Sequence, residues 1–490
     1  MTGGPTGRSL IRSAGALGLA RIWAMAAQFA AFVVAARFLG PEDFGIYALV
    51  FLFCSFLLLA ASMGWGEYAF THETERDGVV AVSLAAGLAG GAILAVGGGI
   101  VDALTGAQGR IAPLCALLGL FMPLRAKNAM QVSRLLSTDR TLRVAGAQVF
   151  SETTFVLAIT ISLNLGLGLL SLGIARIAQE GMAMAICRTS GVCIFGHWPD
   201  RARLGPMMRF VTQAQLTAMA GFAQGNISTL LIGLFLGPLG TGLYRAGARF
   251  PGAVSELISE PLKPVAWIGL RAVRDNTLRM REQARSLMIA ILTVGAAAFA
   301  GLSLIAGDLV FVLLGPDWRP VGGLIVLLAA RQFFLLPNTL LMAVLALSDR
   351  LALAPRIGFA TAALSASALV VTAPFGLGWA AGGQVVTAMV DAGIVCIAMR
   401  RVIGLDPVSI LRSLMPAAAG CVAMALTVIG GTTMLEARLP DAMDPALRAI
   451  CRIILSIAAG SLAYAAVVLV LDAKLRSLAS YVLLDRVRRR

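Results

Sequence analysis

Five charged side chains recur along one apolar stretch of the chain: Arg245, Arg249, Glu256, Glu260 and Lys263. Their spacings of 4, 7, 4 and 3 residues place all five on one stripe of a helix. Within a bilayer such a stripe is costly, because each charge at the centre costs at least about 2.5–3.5 kcal/mol. It must therefore face a wet cavity or pair internally, as Arg249 with Glu256 would. Arginine suits a cavity that receives an anion, because its planar fork holds phosphate oxygens bidentately.

Similar faces recur elsewhere. Gln213, Thr217, Gln224 and Ser228 share a face of the preceding stretch, and Arg21 and Gln28 lie seven apart in the first one. Arg125, Lys127, Glu152, Arg176, Glu180, Arg331 and Asp391 are also embedded in apolar surroundings. Arg176 and Glu180, four apart, are expected to satisfy each other. Arg125, Lys127 and Arg134 are expected to snorkel toward the nearer membrane surface. The cavity cations are then Arg21, Arg245, Arg249 and Arg331, and its neutral polar groups are Gln28, Gln213 and Gln224. Glu256, Glu260 and Asp391 serve as coupling-ion sites or salt-bridge acids. The simplest assembly lines these faces around a water-filled cavity between two halves of the chain.

No catalytic constellation accompanies them. The two histidines, His72 and His197, are far apart in sequence, and the seven cysteines (Cys54, Cys115, Cys187, Cys193, Cys396, Cys421 and Cys451) form no C-x-x-C pair. The cysteines read as small buried hydrophobes, and no metal site or cofactor is expected. No nucleotide-binding loop is present either, so the chain alone is not an ATP-driven pump.

The elements that carry these residues are set by hydropathy. The chain of 490 residues is 58% hydrophobic and 13% charged, against roughly 45–50% and 25% in a soluble domain. The apolar residues fall in blocks near the roughly 20 residues that cross a hydrocarbon core. The spans expected are 17–39, 45–64, 79–101, 111–135, 144–164, 168–194, 211–236, 243–267, 286–306, 320–346, 354–374, 377–399, 411–433 and 449–471. Short alternating strands of a β-barrel are absent from the pattern. The first block follows Arg8 and Arg12 in the manner of a signal peptide, but its length and its Arg21 and Gln28 mark a retained helix.

The net charge of +15 does not indicate nucleic acid, because the arginines sit in short loops, where they set orientation. With a cytoplasmic N-terminus, the cytoplasmic segments hold Lys127, Arg140, Arg143, Arg201, Arg203, Arg209, Arg271, Arg274, Arg279, Arg281, Arg285, Arg400, Arg401 and the tail Arg486, Arg488, Arg489 and Arg490. The opposite face holds Arg110, Arg319, Arg438, Arg448 and Arg452. The bias places both termini in the cytoplasm and requires an even number of helices.

An internal repeat sets the architecture. Phe38-Leu39-Gly40-Pro41-Glu42-Asp43-Phe44-Gly45-Ile46-Tyr47 returns as Phe235-Leu236-Gly237-Pro238-Leu239-Gly240-Thr241-Gly242-Leu243-Tyr244, identical at six of ten positions. Gly-Pro is expected to end one helix and the second glycine to turn the chain into the next. The copies lie six spans apart and so share one orientation, as in parallel-repeat transporters. The expected fold is an all-α polytopic membrane protein of about 14 transmembrane helices. Two six-helix bundles, 1–205 and 206–405, are related by the parallel repeat. Two further helices and a basic tail follow in 406–490.

The Phe38–Tyr47 motif after a helix with an embedded Arg resembles the opening of bacterial polysaccharide transporters. These are the Wzx-type oligosaccharide flippases of the multidrug/oligosaccharidyl-lipid/polysaccharide exporter superfamily. Gly315-Pro316-Asp317-Trp318-Arg319-Pro320 is similar to that family's short segment entering helix 10. The resemblance implies a bacterial inner-membrane flippase for an undecaprenyl-diphosphate-linked oligosaccharide repeat unit, working by alternating access in exopolysaccharide, capsule or O-antigen synthesis. Partners would be the lipid-linked oligosaccharide and the membrane, with a polysaccharide polymerase and export machinery beside it.

Two other readings are weaker. A cation-coupled multidrug antiporter of the same fold should have a net acidic site, whereas here embedded basic residues equal or outnumber the acids. An oligosaccharide polymerase or ligase would carry catalytic residues on a large external loop, and the longest here is the short one around Glu436–Leu447. The topology makes a first prediction: reporter fusions at Arg490 and near Asp444 should report opposite sides of the membrane, and the same side for both would refute the fourteen-helix count.

Overall fold

The computed structural model of the chain describes residues 7–72, 75–106, 109–191, 197–436 and 444–471. Among the described residues every regular element is helical, as lipid demands, because only a helix satisfies its own backbone groups within one segment. The helices are α1 (Gly7–Phe38), α2 (Pro41–Ser62), α3 (Trp65–Thr71), α4 (Arg76–Thr105), α5 (Ile111–Ser137), α6 (Thr141–Asn164), α7 (Leu170–Cys187) and α8 (Arg201–Ala272). They continue as α9 (Thr277–Leu313), α10 (Pro320–Leu335), α11 (Asn338–Leu347), α12 (Leu353–Thr372), α13 (Leu377–Ile403), α14 (Pro407–Ser413), α15 (Met415–Glu436) and α16 (Pro445–Leu471).

Eleven stretches of the described residues are long and apolar enough to cross a membrane. Among the described residues each of the fourteen expected spans falls on helix. The lower count arises because α5 and α7 carry embedded charges and α8 is one 72-residue helix broken at Gly237. Three details depart from the hydropathy reading. A short α3 follows α2, the tenth span is split at Leu336–Pro337 into α10 and α11, and α14 precedes α15.

The chain divides into two compact units, Met1–Gly242 and Leu243–Arg490. In the first, α4 packs on α5, α6 on α7, and α1 on α6, with α5 also against α7 and α2 against α4 and α5. Its core runs from Ala31 and Ala35 of α1 through Tyr47 and Cys54 to Leu114, Phe155 and Leu172. In the second, α10 packs on α9 and α13, α12 on α13, and the pair α15–α16 on α9. That pair is fastened by Tyr464, whose hydroxyl donates to the Thr293 carbonyl at 2.7 Å, and by an Arg452–Asp308 ion pair. The approach to α10 turns at Gly315, whose φ of 100° favours glycine, and the following Trp318 is buried.

The repeated Gly-Pro motif behaves differently in its two copies. Gly237 has φ 67° and ψ −169°, a left-handed conformation that breaks α8 before Pro238. Gly40 has φ −66° and ψ 166°, ordinary extended backbone, with Pro41 opening α2. The second glycine of each copy does not turn the chain, contrary to the expectation above. Gly45 and Gly242 lie within helices and permit close approach instead. A Cβ at Gly45 would overlap the Pro238 carbonyl, and one at Gly242 would overlap the Pro41 carbonyl. The two copies of the repeat thus cross each other reciprocally, backbone to backbone. Gly45→Val should overpack this crossing by about 1–3 kcal/mol and lower the melting temperature of the purified protein, whereas Gly15→Val, at a position with open space around it, should not. Equal melting temperatures would refute the close crossing.

Candidate functional site

Polar side chains converge inside the first unit. α1 brings Gln28, whose Nε2 donates to Glu152 Oε1 on α6 at 3.0 Å. Five residues earlier, Trp23 Nε1 donates to Thr153 Oγ1 at 3.1 Å. The same pair of helices is therefore tied at two points.

From α7, Glu180, only 3% exposed, accepts Arg125 Nη1 at 3.1 Å and Asn128 Nδ2 at 2.8 Å, both from α5. This corrects two expectations. Arg125 turns inward to an ion pair, with its side chain half exposed. Arg176 does not pair with Glu180, because the carboxylate is already occupied by α5. Arg176 instead donates to Gln179 Oε1 at 3.0 Å and to the Tyr47 hydroxyl at 3.4 Å. Its guanidinium lies over the rings of Phe51 (4.8 Å) and Phe155 (4.5 Å), so aromatic faces from α2 and α6 meet its charge. Sequence reasoning missed Asn128, Gln131, Tyr47 and Asn338. The spacing of three along Arg125, Asn128 and Gln131 was the available signal.

The other expected residues of this unit lie elsewhere. Arg21 is exposed on α1, seven residues from the half-buried Gln28. Gln213 is exposed near the start of α8, where it lines an open cleft of about 440 Å³ with Gly205, Pro206, Arg209 and Phe210. The side chains of Thr217 and Gln224 lie outside the described residues, as do Cys193 and the basic tail. The described cysteines are all free thiols.

In the second unit the expected stripe divides. Arg245 and Arg249 are half-buried on α8. Glu256 is exposed and makes no ion pair among the described residues, so the pairing of Arg249 with Glu256 is not formed. Glu260 pairs with Lys263 one turn away, at 2.7 Å. Asp391, buried on α13, accepts Asn338 Nδ2 at 2.6 Å. Asn338 reaches it because the Leu336–Pro337 break lets α11 start beside α13. Arg331 of α10 is half-buried and faces Asp391 electrostatically. Gln384, on the same helix as Asp391, is instead occupied with Ser365 of α12. Among the described residues no cluster of metal-ligating side chains occurs.

The all-helical fold of the chain matches those of solved membrane exporters. The lipid II flippase MurJ, in an inward closed conformation, superposes with a TM-score of 0.66 at 11% identity, over 95% of this chain and 99% of that one. An inward-facing multidrug resistance transporter of the MATE family gives 0.61 at 15% identity, over 77% and 94%. Residues 34–322 match the polysaccharide biosynthesis protein family, and the chain belongs to that family. A curated relative, the succinoglycan biosynthesis transport protein ExoT of Rhizobium meliloti (strain 1021), is 24% identical over 347 residues, 69% of each chain.

The α5–α7 pair generates a test. Arg125→Ala leaves the buried Glu180 carboxylate with Asn128 alone, and because Arg125 is itself half exposed the loss is about 1–3 kcal/mol. Membrane abundance of the full-length protein should fall, and Arg125→Ala with Glu180→Gln should restore most of it. A double variant no more abundant than the single one would show that the pair is not what fastens these helices.

Proposed function

We propose that this protein is a flippase that moves an undecaprenyl-diphosphate-linked oligosaccharide repeat unit across the bacterial inner membrane. It serves the synthesis of a surface polysaccharide: an exopolysaccharide, a capsule or an O-antigen. Membership of the polysaccharide biosynthesis family carries the reading. The named relatives are transport proteins and flippases rather than enzymes, which favours transport over polymerisation.

The chemistry of the half-buried arginines on α8 fits the cargo. A diphosphate requires cationic partners, the sugar requires polar surroundings, and the prenyl chain remains in lipid. Arg249 is the residue assigned to the diphosphate, with Arg245 beside it and Arg331 as a further cation. Arg21 takes the phosphates in a second state of an alternating-access cycle. Gln28, Gln213 and Gln224 supply polar surroundings for the sugar. Both termini are cytoplasmic, and a polymerase and export machinery receive the flipped unit. Asp391, held by Asn338 and facing Arg331, and Glu260, paired with Lys263, are salt-bridge or coupling acids, and the exposed Glu256 is a coupling acid. The multidrug antiporter reading is disfavoured by the buried guanidinium groups, which repel cationic drugs.

Loss of the gene should abolish a surface polysaccharide and leave its lipid-linked unit on the cytoplasmic leaflet. Arg249→Lys keeps the charge and loses the fork, so polysaccharide output should fall at least tenfold at normal protein level. Unchanged polysaccharide with altered sensitivity to cationic drugs would overturn the flippase reading in favour of the antiporter.

A further inference from the structure

Three buried oxygens in the first unit have no hydrogen-bond donor: Glu152 Oε2, Asn128 Oδ1 and Gln131 Oε1. Each belongs to a side chain more than nine-tenths buried, and all three are acceptors. An unmatched buried acceptor costs about 1–3 kcal/mol, more when charged. The surrounding donors are committed elsewhere: Arg176 to Tyr47 and Gln179, and Arg125 and the Asn128 amide to Glu180. Glu152 Oε2 is thus a buried acceptor that a proton would satisfy.

We infer that Glu152, buried on α6 and held by Gln28 of α1, is a proton-carrying site within the first helical unit. Glu152 lies 11 residues into α6, so about 16 Å along it at 1.5 Å per residue. That is the depth expected of a relay rather than of a surface carboxylate.

A proton fits better than a metal ion. The charged groups that face Glu152 are Arg176 and Glu180 from α7 and Arg125 from α5, while α1 presents the neutral Gln28. Two guanidinium groups repel a second cation of fixed size. A proton adds no volume and needs no ligand shell. Loading is the transfer of H⁺ from hydronium to Oε2, which forms one O–H bond and leaves water.

Gln28 supplies the connection to the rest of the molecule. Its amide donates to the ionised carboxylate, and its carbonyl is able to accept from the protonated acid. A change of proton on Glu152 thus changes which end of Gln28 faces α6, and with it the seating of α1, the helix that also carries Arg21 and Trp23. Coupling of this proton to cargo rests on the flippase reading above. The proton site itself does not.

The test uses the purified full-length protein in lipid vesicles, with infrared difference spectra between mildly acidic and mildly alkaline buffer. The expected result is a buried carboxylic C=O band that is lost in Glu152→Gln and kept in Glu282→Gln, an exposed control on α9. Gln28→Leu retains the acid and removes its amide partner, so the band should move to higher frequency. This variant keeps the test decisive if Glu152→Gln folds poorly. Sodium added at constant pH should leave the band unchanged. A band that persists in Glu152→Gln, or one that sodium abolishes in the wild type, would overturn the proposal. In vesicles that flip a lipid-linked sugar, Glu152→Gln should also lose the acceleration produced by an imposed pH gradient. The infrared arm needs no sugar substrate, so a failed proton site and a failed flippase reading give separate results.

Discussion

A charge placed in hydrocarbon must be met by a side chain from another helix, and the first unit is organised around that requirement. Glu180 is met from α5, Arg176 from α2 and α6, and Glu152 from α1. Each tie joins helices that lipid alone gives no reason to associate, since lipid tails are as apolar as leucine. Individual interhelical hydrogen bonds are worth only about 0.6–2 kcal/mol. Their larger effect is to fix which faces meet, because an unmet carboxylate or guanidinium in that setting is worse than a lost contact.

Backbone proximity supplies the complementary constraint. The two copies of the Phe-Leu-Gly-Pro motif cross through Gly45 and Gly242, where side chains would collide with proline carbonyls. A similar approach joins α4 and α5 at Gly91 and Gly119. Small residues at crossings let helices pack in membranes without a hydrophobic driving force. The polar ties then have short spans to bridge. In the second unit the same division of labour holds: Asp391 meets Asn338 at the proline-broken start of α11, and Gln384 meets Ser365.

Most of the helical architecture was readable from hydropathy, because every span must be apolar and near the bilayer's thickness. α5 and α7 were visible only to a reading that tolerated embedded charge. The partners of those charges were not readable. Arg176 and Glu180 sit four apart and invite pairing along one helix, yet Glu180 is claimed by residues more than fifty positions away, and nothing local in sequence encodes that choice. Likewise, the glycine after Gly-Pro looked like a turn residue because glycine serves both turns and close approach. Only the neighbouring backbone distinguishes the two. The α8 stripe was half legible. Its Glu260–Lys263 pair follows from spacing, whereas the exposure of Glu256 depends on what packs beside it.

Membership of the polysaccharide biosynthesis family and the fold shared with solved exporters support the proposed movement of a lipid-linked sugar between leaflets. The most direct measurement reconstitutes the purified full-length chain in vesicles with a fluorescently labelled undecaprenyl-diphosphate oligosaccharide. An impermeant quencher then reports which leaflet holds the label. The account predicts that inner-leaflet label becomes accessible only when the protein is present, and that a label on a neutral lipid of equal chain length does not. Label that stays protected while a cationic dye is exchanged would contradict it.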